Sequence, residues 1–226
     1  MRAEKFLGLL QHNRQSGSKL VVTYPPTWEK QTEDIQTFEV QPNSAEFAEV
    51  QTAFTAAKIK TLVRIQNTII FKKFSEEANF LQELTGKPIK KMRLFHGTNT
   101  TAPEIIYKDK EEAFNINYSS DNNLLGRGIY FAEKSEYSTS YAYTEVDKKL
   151  GIFGFGTSSA KSMFMCEVLV GDSEKCPGHS NNIKDTSFRD QANKIRYESM
   201  TDYLSGSNIY VVYKSRRAYP LYLIKY

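Results

Sequence analysis

After Pro88 the sequence changes texture, and that change restricts the fold more than any other feature. Short runs rich in β-branched and aromatic residues follow one another: Met92 to Phe95, Ile129 to Ala132, Met163 to Val170, Ile209 to Tyr213 and Leu221 to Ile224. Such runs predict strands. Polar loops join them with no regular helix between most of them, which favours an antiparallel α+β architecture over a doubly wound parallel sheet. Before Pro88 the period is helical. From a cap at Asn43 or Ser44, residues Phe47, Val50, Phe54 and Ala57 share one face. Phe71, Phe74, Ala78, Leu81 and Leu84 do the same until Gly86-Lys87-Pro88, and Ile59 to Ile65 alternates between them as a half-buried strand would. Residues 1–19 are polar and end in Ser16-Gly17-Ser18, which predicts an N-terminal linker followed by one folded domain over 20–226.

Composition narrows the class. With 226 residues, 40% hydrophobic and 25% charged, the chain can bury a core, so disordered and low-complexity classes are excluded. Thirty Lys and Arg against 26 Asp and Glu leave +4, too little to argue for nucleic acid. Cys166 and Cys176 cannot staple a domain of this size, so a reducing compartment, cytoplasmic or nuclear, is expected. The apolar cluster Phe6 to Leu10 is shorter than a signal-peptide core, and no stretch approaches the roughly 20 apolar residues of a membrane span. No membrane association is expected.

The common catalytic templates are absent. There is no Gly-x-Ser-x-Gly elbow, no His-Glu-x-x-His helix, and the glycines of Gly151 to Ser162 fit neither nucleotide-loop spacing. Cys166, Cys176 and His179 could supply three metal ligands at best, and Cys166 lies in an apolar strand where a buried thiol is the ordinary occupant. No metal is expected. What stands out is Phe95-His96-Gly97-Thr98, which closes an apolar strand with an imidazole, a residue permitting close approach, and a hydroxyl. Gly126 to Ala132 follows, a glycine pair opening a strand that carries Tyr130, and then Tyr137-Ser138-Thr139-Ser140-Tyr141-Ala142-Tyr143, dense in rings and hydroxyls.

In this order and spacing the pieces resemble the catalytic domain of the poly(ADP-ribose) polymerase superfamily, the diphtheria-toxin-like ADP-ribosyltransferases. The resemblance covers about residues 20–226 and includes Tyr24 to Trp28, Arg64 to Asn67, Cys166 to Gly171, Arg196 to Asp202 and Ala218 to Ile224. Trp28 and Arg64 to Asn67 make it most similar to the mono-ADP-ribosylating branch. The resemblance implies an α+β ADP-ribosyltransferase fold: two packed, mainly antiparallel sheets with flanking helices around an NAD cleft.

It also implies roles. His96 would orient the adenosine ribose of NAD, the Gly97 backbone and Ser138 hydroxyl would hold the nicotinamide amide, and Tyr130 would stack on one face of the nicotinamide ring. For the other face Tyr143 is preferred and Tyr141 competes. The cofactor-binding set is thus His96, Gly97, Thr98, Tyr130, Ser138, Tyr143 and Tyr141. The catalytic positions are His96, Tyr130 and Ile209, the last standing where polymerases carry a glutamate. Isoleucine cannot polarise an incoming ADP-ribose hydroxyl, so single transfer to an acceptor follows. Acceptors are expected on proteins, including the chain itself, with nucleic-acid ends left open. The unit is expected to act as a monomeric catalytic domain of a larger protein. Two departures from the family pattern bear on the site: Ala113-Phe-Asn-Ile116 lacks a glycine and a basic residue near the adenosine side, and Glu198 replaces an aspartate.

Overall fold

Strand pairing dominates the computed structural model, which describes residues 22–120, 122–146 and 159–226. The expected linker at 1–19 and most of the Gly151–Ser162 loop lie outside the described residues. β1 (Ile35–Glu39) pairs antiparallel with β2 (Thr61–Asn67). Between them lies the helix α1 (Ala45–Ala53), whose N-cap is Ser44: its hydroxyl accepts from the Phe47 N–H at 3.1 Å. The helix α2 (Thr68–Thr85) begins on an Asn67 cap and ends at Gly86, in the left-handed conformation at φ 71° that terminates helices.

The remaining strands are β3 (Lys91–His96), β4 (Ile129–Ala132), β5 (Tyr143–Val146), β6 (Ser159–Leu169), β7 (Ser173–Lys175), β8 (Phe188–Asp190), β9 (Ile195–Arg196), β10 (Ser199–Leu204), β11 (Ser207–Val212) and β12 (Ala218–Lys225). They form a ten-stranded sheet in the order β1-β2-β12-β6-β3-β4-β11-β10-β7, with β5 on β6, and a small β8-β9 pair. Every neighbour in the large sheet is antiparallel except β7 and β10. The expected α+β class stands. The two expected sheets are present as two runs, β1 to β3 and β4 to β7, hydrogen-bonded into one through a single register pair, Phe95↔Ala132. This junction brings the end of β3 beside β4, and the site forms there.

β6 carries a continuous apolar stretch, Met163 to Cys166, because both its faces are covered. Phe164, Cys166 and Val168 pack with Phe71, Phe74, Ala78 and Leu81 of α2, while Met163 and Met165 pack with Val50 and Phe54 of the α1 side. A third cluster of Leu125, Ala132, Met200, Ile209, Val211 and Tyr213 supports the β4–β11–β10 run.

The Arg64 to Asn67 segment is a set of ties. Arg64 makes a two-point contact with Glu46 (2.8 and 2.9 Å), Gln66 exchanges two hydrogen bonds with the Glu29 backbone (both 2.8 Å), and the Asn67 amide donates to the Tyr107 and Asp109 carbonyls. Trp28 stacks on Tyr24 and packs on Phe71. Glu198, nearly fully buried, accepts from the Asp172 N–H at 2.8 Å and pairs with Arg189, so the longer carboxylate keeps a hydrogen-bonded place. Among the described residues no helix is long and apolar enough to cross a membrane.

Candidate active site

β3 ends in His96, and that ending decides how the imidazole is presented. Its ring packs edge-on to Phe114 (5.0 Å) and tilted to Phe131 (5.3 Å), while Nδ1 lies 2.7 Å from the Tyr130 carbonyl. Only a protonated Nδ1 can donate to that carbonyl, so in the neutral ring Nε2 is left as an acceptor. Burial among the rings lowers the His96 pKa from the ordinary value, and the bond to the Tyr130 carbonyl opposes this to a smaller extent.

The next residue, Gly97, lies against the turn that follows α4 (Ser135–Ser138). A Cβ there would meet the Tyr141 carbonyl oxygen at 2.3 Å, and the Asn99 N–H donates to that same oxygen at 2.7 Å. Thr98 spends its hydroxyl on the Thr101 carbonyl at 2.6 Å, closing the loop that leads to α3 (Pro103–Tyr107). Ser138 is buried and donates to the Phe95 carbonyl at 3.3 Å. With its proton so used, its lone pairs can accept from an amide N–H.

Tyr130 stands in β4, half-buried. Its hydroxyl donates to the Gly126 carbonyl (2.7 Å) and accepts from the Leu125 N–H (3.0 Å), so the ring is clamped to the turn before its own strand. Burial raises the phenol pKa well above its usual value, the Leu125 N–H opposing this to a smaller extent. What Tyr130 can present is therefore a ring face and not an acid or base. Ile209 lies opposite Ala132 on β4 and Asp202 on β10 and is fully buried.

These residues surround one cleft of about 460 Å³. Its lining includes His96, Gly97, Thr98, Tyr130, Ser138, Tyr141 and Ile209, together with Phe114, Asn115 and Ser119. Tyr143 is not among them. It opens β5 opposite Ser162, and that strand pairing carries it away from the cleft, whereas Tyr141 sits in the preceding turn pressed on Gly97. Tyr141 thus lines the cleft, and the preferred Tyr143 does not. Sequence reasoning assigned no role to Tyr137, which also lines the cleft with its ring 5.7 Å from that of Tyr141, and whose phenol is pushed up to about 12 by burial and by its contact with Tyr141. Its place in the ring-rich segment was the available signal.

No Asp, Glu, Lys or Arg occurs among the described residues of the lining. Ile116, where a basic residue was expected, starts a 3-10 turn whose Asn115 cap accepts from the Asn117 N–H at 2.8 Å. The cleft can accept and donate hydrogen bonds and stack planar groups, and its described lining holds no fixed charge.

Known proteins are similar to this chain in sequence. A family model described as the poly(ADP-ribose) polymerase catalytic domain matches residues 38–226. A probable poly [ADP-ribose] polymerase of Dictyostelium discoideum is 31% identical over 216 residues, covering 90% of this chain and 57% of the relative. The human protein mono-ADP-ribosyltransferase PARP11 is 28% identical over 220 residues, covering 91% and 64%, and the human protein mono-ADP-ribosyltransferase PARP14 is 24% identical over 215 residues, covering 92% and 11%. The chain thus spans less than two thirds of the length of these relatives. A strand-end histidine, a clamped tyrosine and a buried isoleucine around one cleft, within a family match over most of the sequence, place the chain in the poly(ADP-ribose) polymerase catalytic domain family.

Proposed function

We propose that the chain transfers single ADP-ribose units from NAD to acceptor side chains, releasing nicotinamide. The observation that carries this reading is the convergence of His96, Ser138, Tyr130, Tyr141 and Ile209 on one cleft whose described lining has no Asp, Glu, Lys or Arg. Nε2 of His96 would accept from a hydroxyl of the adenosine ribose. Ser138 would accept from the nicotinamide N–H₂ and the Gly97 backbone would complete the pair. Tyr130 and Tyr141 offer faces to the pyridinium ring, a cation that aromatic faces attract. Nicotinamide then departs through an oxocarbenium-like transition state, and the acceptor attacks the anomeric carbon.

No described carboxylate lines the cleft to polarise a ribose hydroxyl, so the acceptor must bring its own nucleophile. A substrate carboxylate does so, being already ionised at neutral pH. Protein acceptors, including the chain itself, fit this requirement, and the names of the mono-ADP-ribosyltransferase relatives support single transfer. A rival reading, a silent module that binds NAD or ADP-ribose, draws on the lack of Lys or Arg in the described lining for the diphosphate. One experiment separates them: incubation with labelled NAD, denaturing electrophoresis and intact-mass spectrometry. Label retained on the denatured protein with a one-unit mass shift supports the transferase. NAD binding with no covalent label overturns it in favour of the silent module.

A further inference from the structure

Three metal-ligating side chains converge, of which sequence reasoning grouped Cys176 and His179 but took Cys166 for the third. Cys166 is fully buried in β6 and takes no part. Cys176, His179 and Asp202 bring one ligand atom each within 4.8 Å of one another. We propose that these three residues bind a thiophilic divalent cation of the Zn²⁺ class, with a fourth, solvent-facing position left to water.

The backbone places two of the three ligands. β7 runs parallel to β10 with Lys175 opposite Thr201, and the Cys176 N–H donates to the Thr201 carbonyl at 2.9 Å, so Cys176 stands beside Asp202. The turn through Pro177-Gly178 then returns His179 to the same carboxylate: its Nε2 lies 2.6 Å from Oδ2 of Asp202. The other oxygen is already engaged, since the Tyr203 N–H donates to Oδ1 at 2.8 Å. That bond orients the carboxylate and leaves Oδ2 for the shared point, as outer partners do around bound metals.

The donor set selects the ion. One thiolate, one imidazole and one carboxylate are wrong for Mg²⁺ or Ca²⁺, which take oxygen ligands, and suit Zn²⁺ or Co²⁺. Zinc–ligand bonds of about 2.0–2.3 Å put the ligand atoms of a tetrahedron roughly 3.3–3.8 Å apart. The site therefore forms if His179 and Asp202 part by about an ångström, which the half-exposed His179 is free to do. Cys176 forms no disulfide and is only partly buried, so its thiol is available.

Occupancy would also stiffen the cleft. Four residues beyond His179, the Ile183 carbonyl accepts from the Arg127 N–H at 3.3 Å, and the Ser180 N–H donates to the Leu124 carbonyl at 2.8 Å. These bonds hold the turn that clamps Tyr130. The metal site itself does not depend on the transferase reading.

The test uses the whole chain, reduced and freed of metal by chelation. Titration with Co²⁺ should give one equivalent of tetrahedral cobalt with a thiolate charge-transfer band, bleached by Zn²⁺. Cys176→Ser should lose the band, and His179→Ala or Asp202→Asn should each weaken Zn²⁺ binding by more than about 100-fold, since losing even an outer partner of a ligand costs about 10–100-fold. Cys166→Ala should keep the band. On the unmutated chain, Zn²⁺ should slow alkylation of Cys176, followed by peptide mapping. No charge-transfer band, a band that survives in folded Cys176→Ser, or Cys176 alkylated equally fast with and without Zn²⁺ would each overturn the proposal.

Discussion

Gly97 and Tyr141 meet backbone to backbone: a Cβ on Gly97 would fall 2.3 Å from the Tyr141 carbonyl oxygen and 2.9 Å from the Ala142 nitrogen. Neither neighbour is a side chain that can swing aside. The close approach sets the distance between the strand end that carries His96 and the turn that carries Tyr141, so one missing methyl group fixes the width of the cleft.

Gly97→Ala should therefore force strand and turn apart, breaking the 2.7 Å bond from the Asn99 N–H to the Tyr141 carbonyl. Overpacking of this kind costs about 1–3 kcal/mol. Thermal denaturation should show a lowered midpoint with the fold retained, and NAD titration should show weakened binding. Wild-type stability together with wild-type affinity would mean that the turn is free to move.

The ring assignment can be separated by substitution. A benzamide-like mimic of nicotinamide should lose about two- to twelvefold in affinity in Tyr141→Ala, the equivalent of about 0.5–1.5 kcal/mol for one stacked pair. Tyr143→Ala should change it by less than about twofold, because Tyr143 pairs with Ser162 and does not line the cleft. Calorimetric titration of both variants decides the matter, and the reverse ranking would return the role to Tyr143.

Much of this site was legible as sequence. His96-Gly97-Thr98 and Tyr130 stood out because the strands that carry them are short, apolar and bounded by glycine, and the register of β3, β4 and β11 then assembles them. Tyr141 against Tyr143 was not legible: both lie in one ring-rich segment, and only the start of the β5–β6 pairing at Tyr143 separates them. Strand β1 escaped notice because Ile35-Gln-Thr-Phe-Glu39 is polar on its exposed face and short. The grouping of Asp202 with Cys176 and His179 depends on the parallel β7–β10 pair, a contact across more than twenty residues that carries no local signal.

His96 supplies a pH dependence with a definite sign. Its folded-state pKa is lowered chiefly by burial, so the native ring stays neutral below the ordinary value of about 6.5. Acidifying through about pH 6.5 protonates the unfolded chain before the native one, so this residue's contribution to stability declines as pH falls below that point and is flat above it. NAD affinity follows the native ring instead: it should stay constant from about pH 8 to below the ordinary value of about 6.5, and fall only where the native ring itself is protonated, as Nε2 gains a proton and ceases to accept. His96→Gln, which cannot ionise, should bind more weakly with a flatter profile in this range. Titrations across the range would sink the assignment if the two proteins fell in parallel.

Product length rests on Ile209. Its side chain is fully buried between Ala132 of β4 and Asp202 of β10, in a cleft with no acidic residue in its described lining. The wild-type chain should add single units, giving discrete one-unit mass steps on separate side chains and no sugar-to-sugar links. Ile209→Glu should not create a polymerase. A carboxylate placed there enters an apolar cluster with Leu125, Met200 and Val211 and brings no partner, so it costs several kcal/mol or stays protonated. A lowered unfolding midpoint without chain growth is the expected result. Fragmentation of the automodified wild-type protein showing ADP-ribose units linked to one another would defeat the single-transfer reading, and chain growth in Ile209→Glu would show that the apolar cluster tolerates the charge.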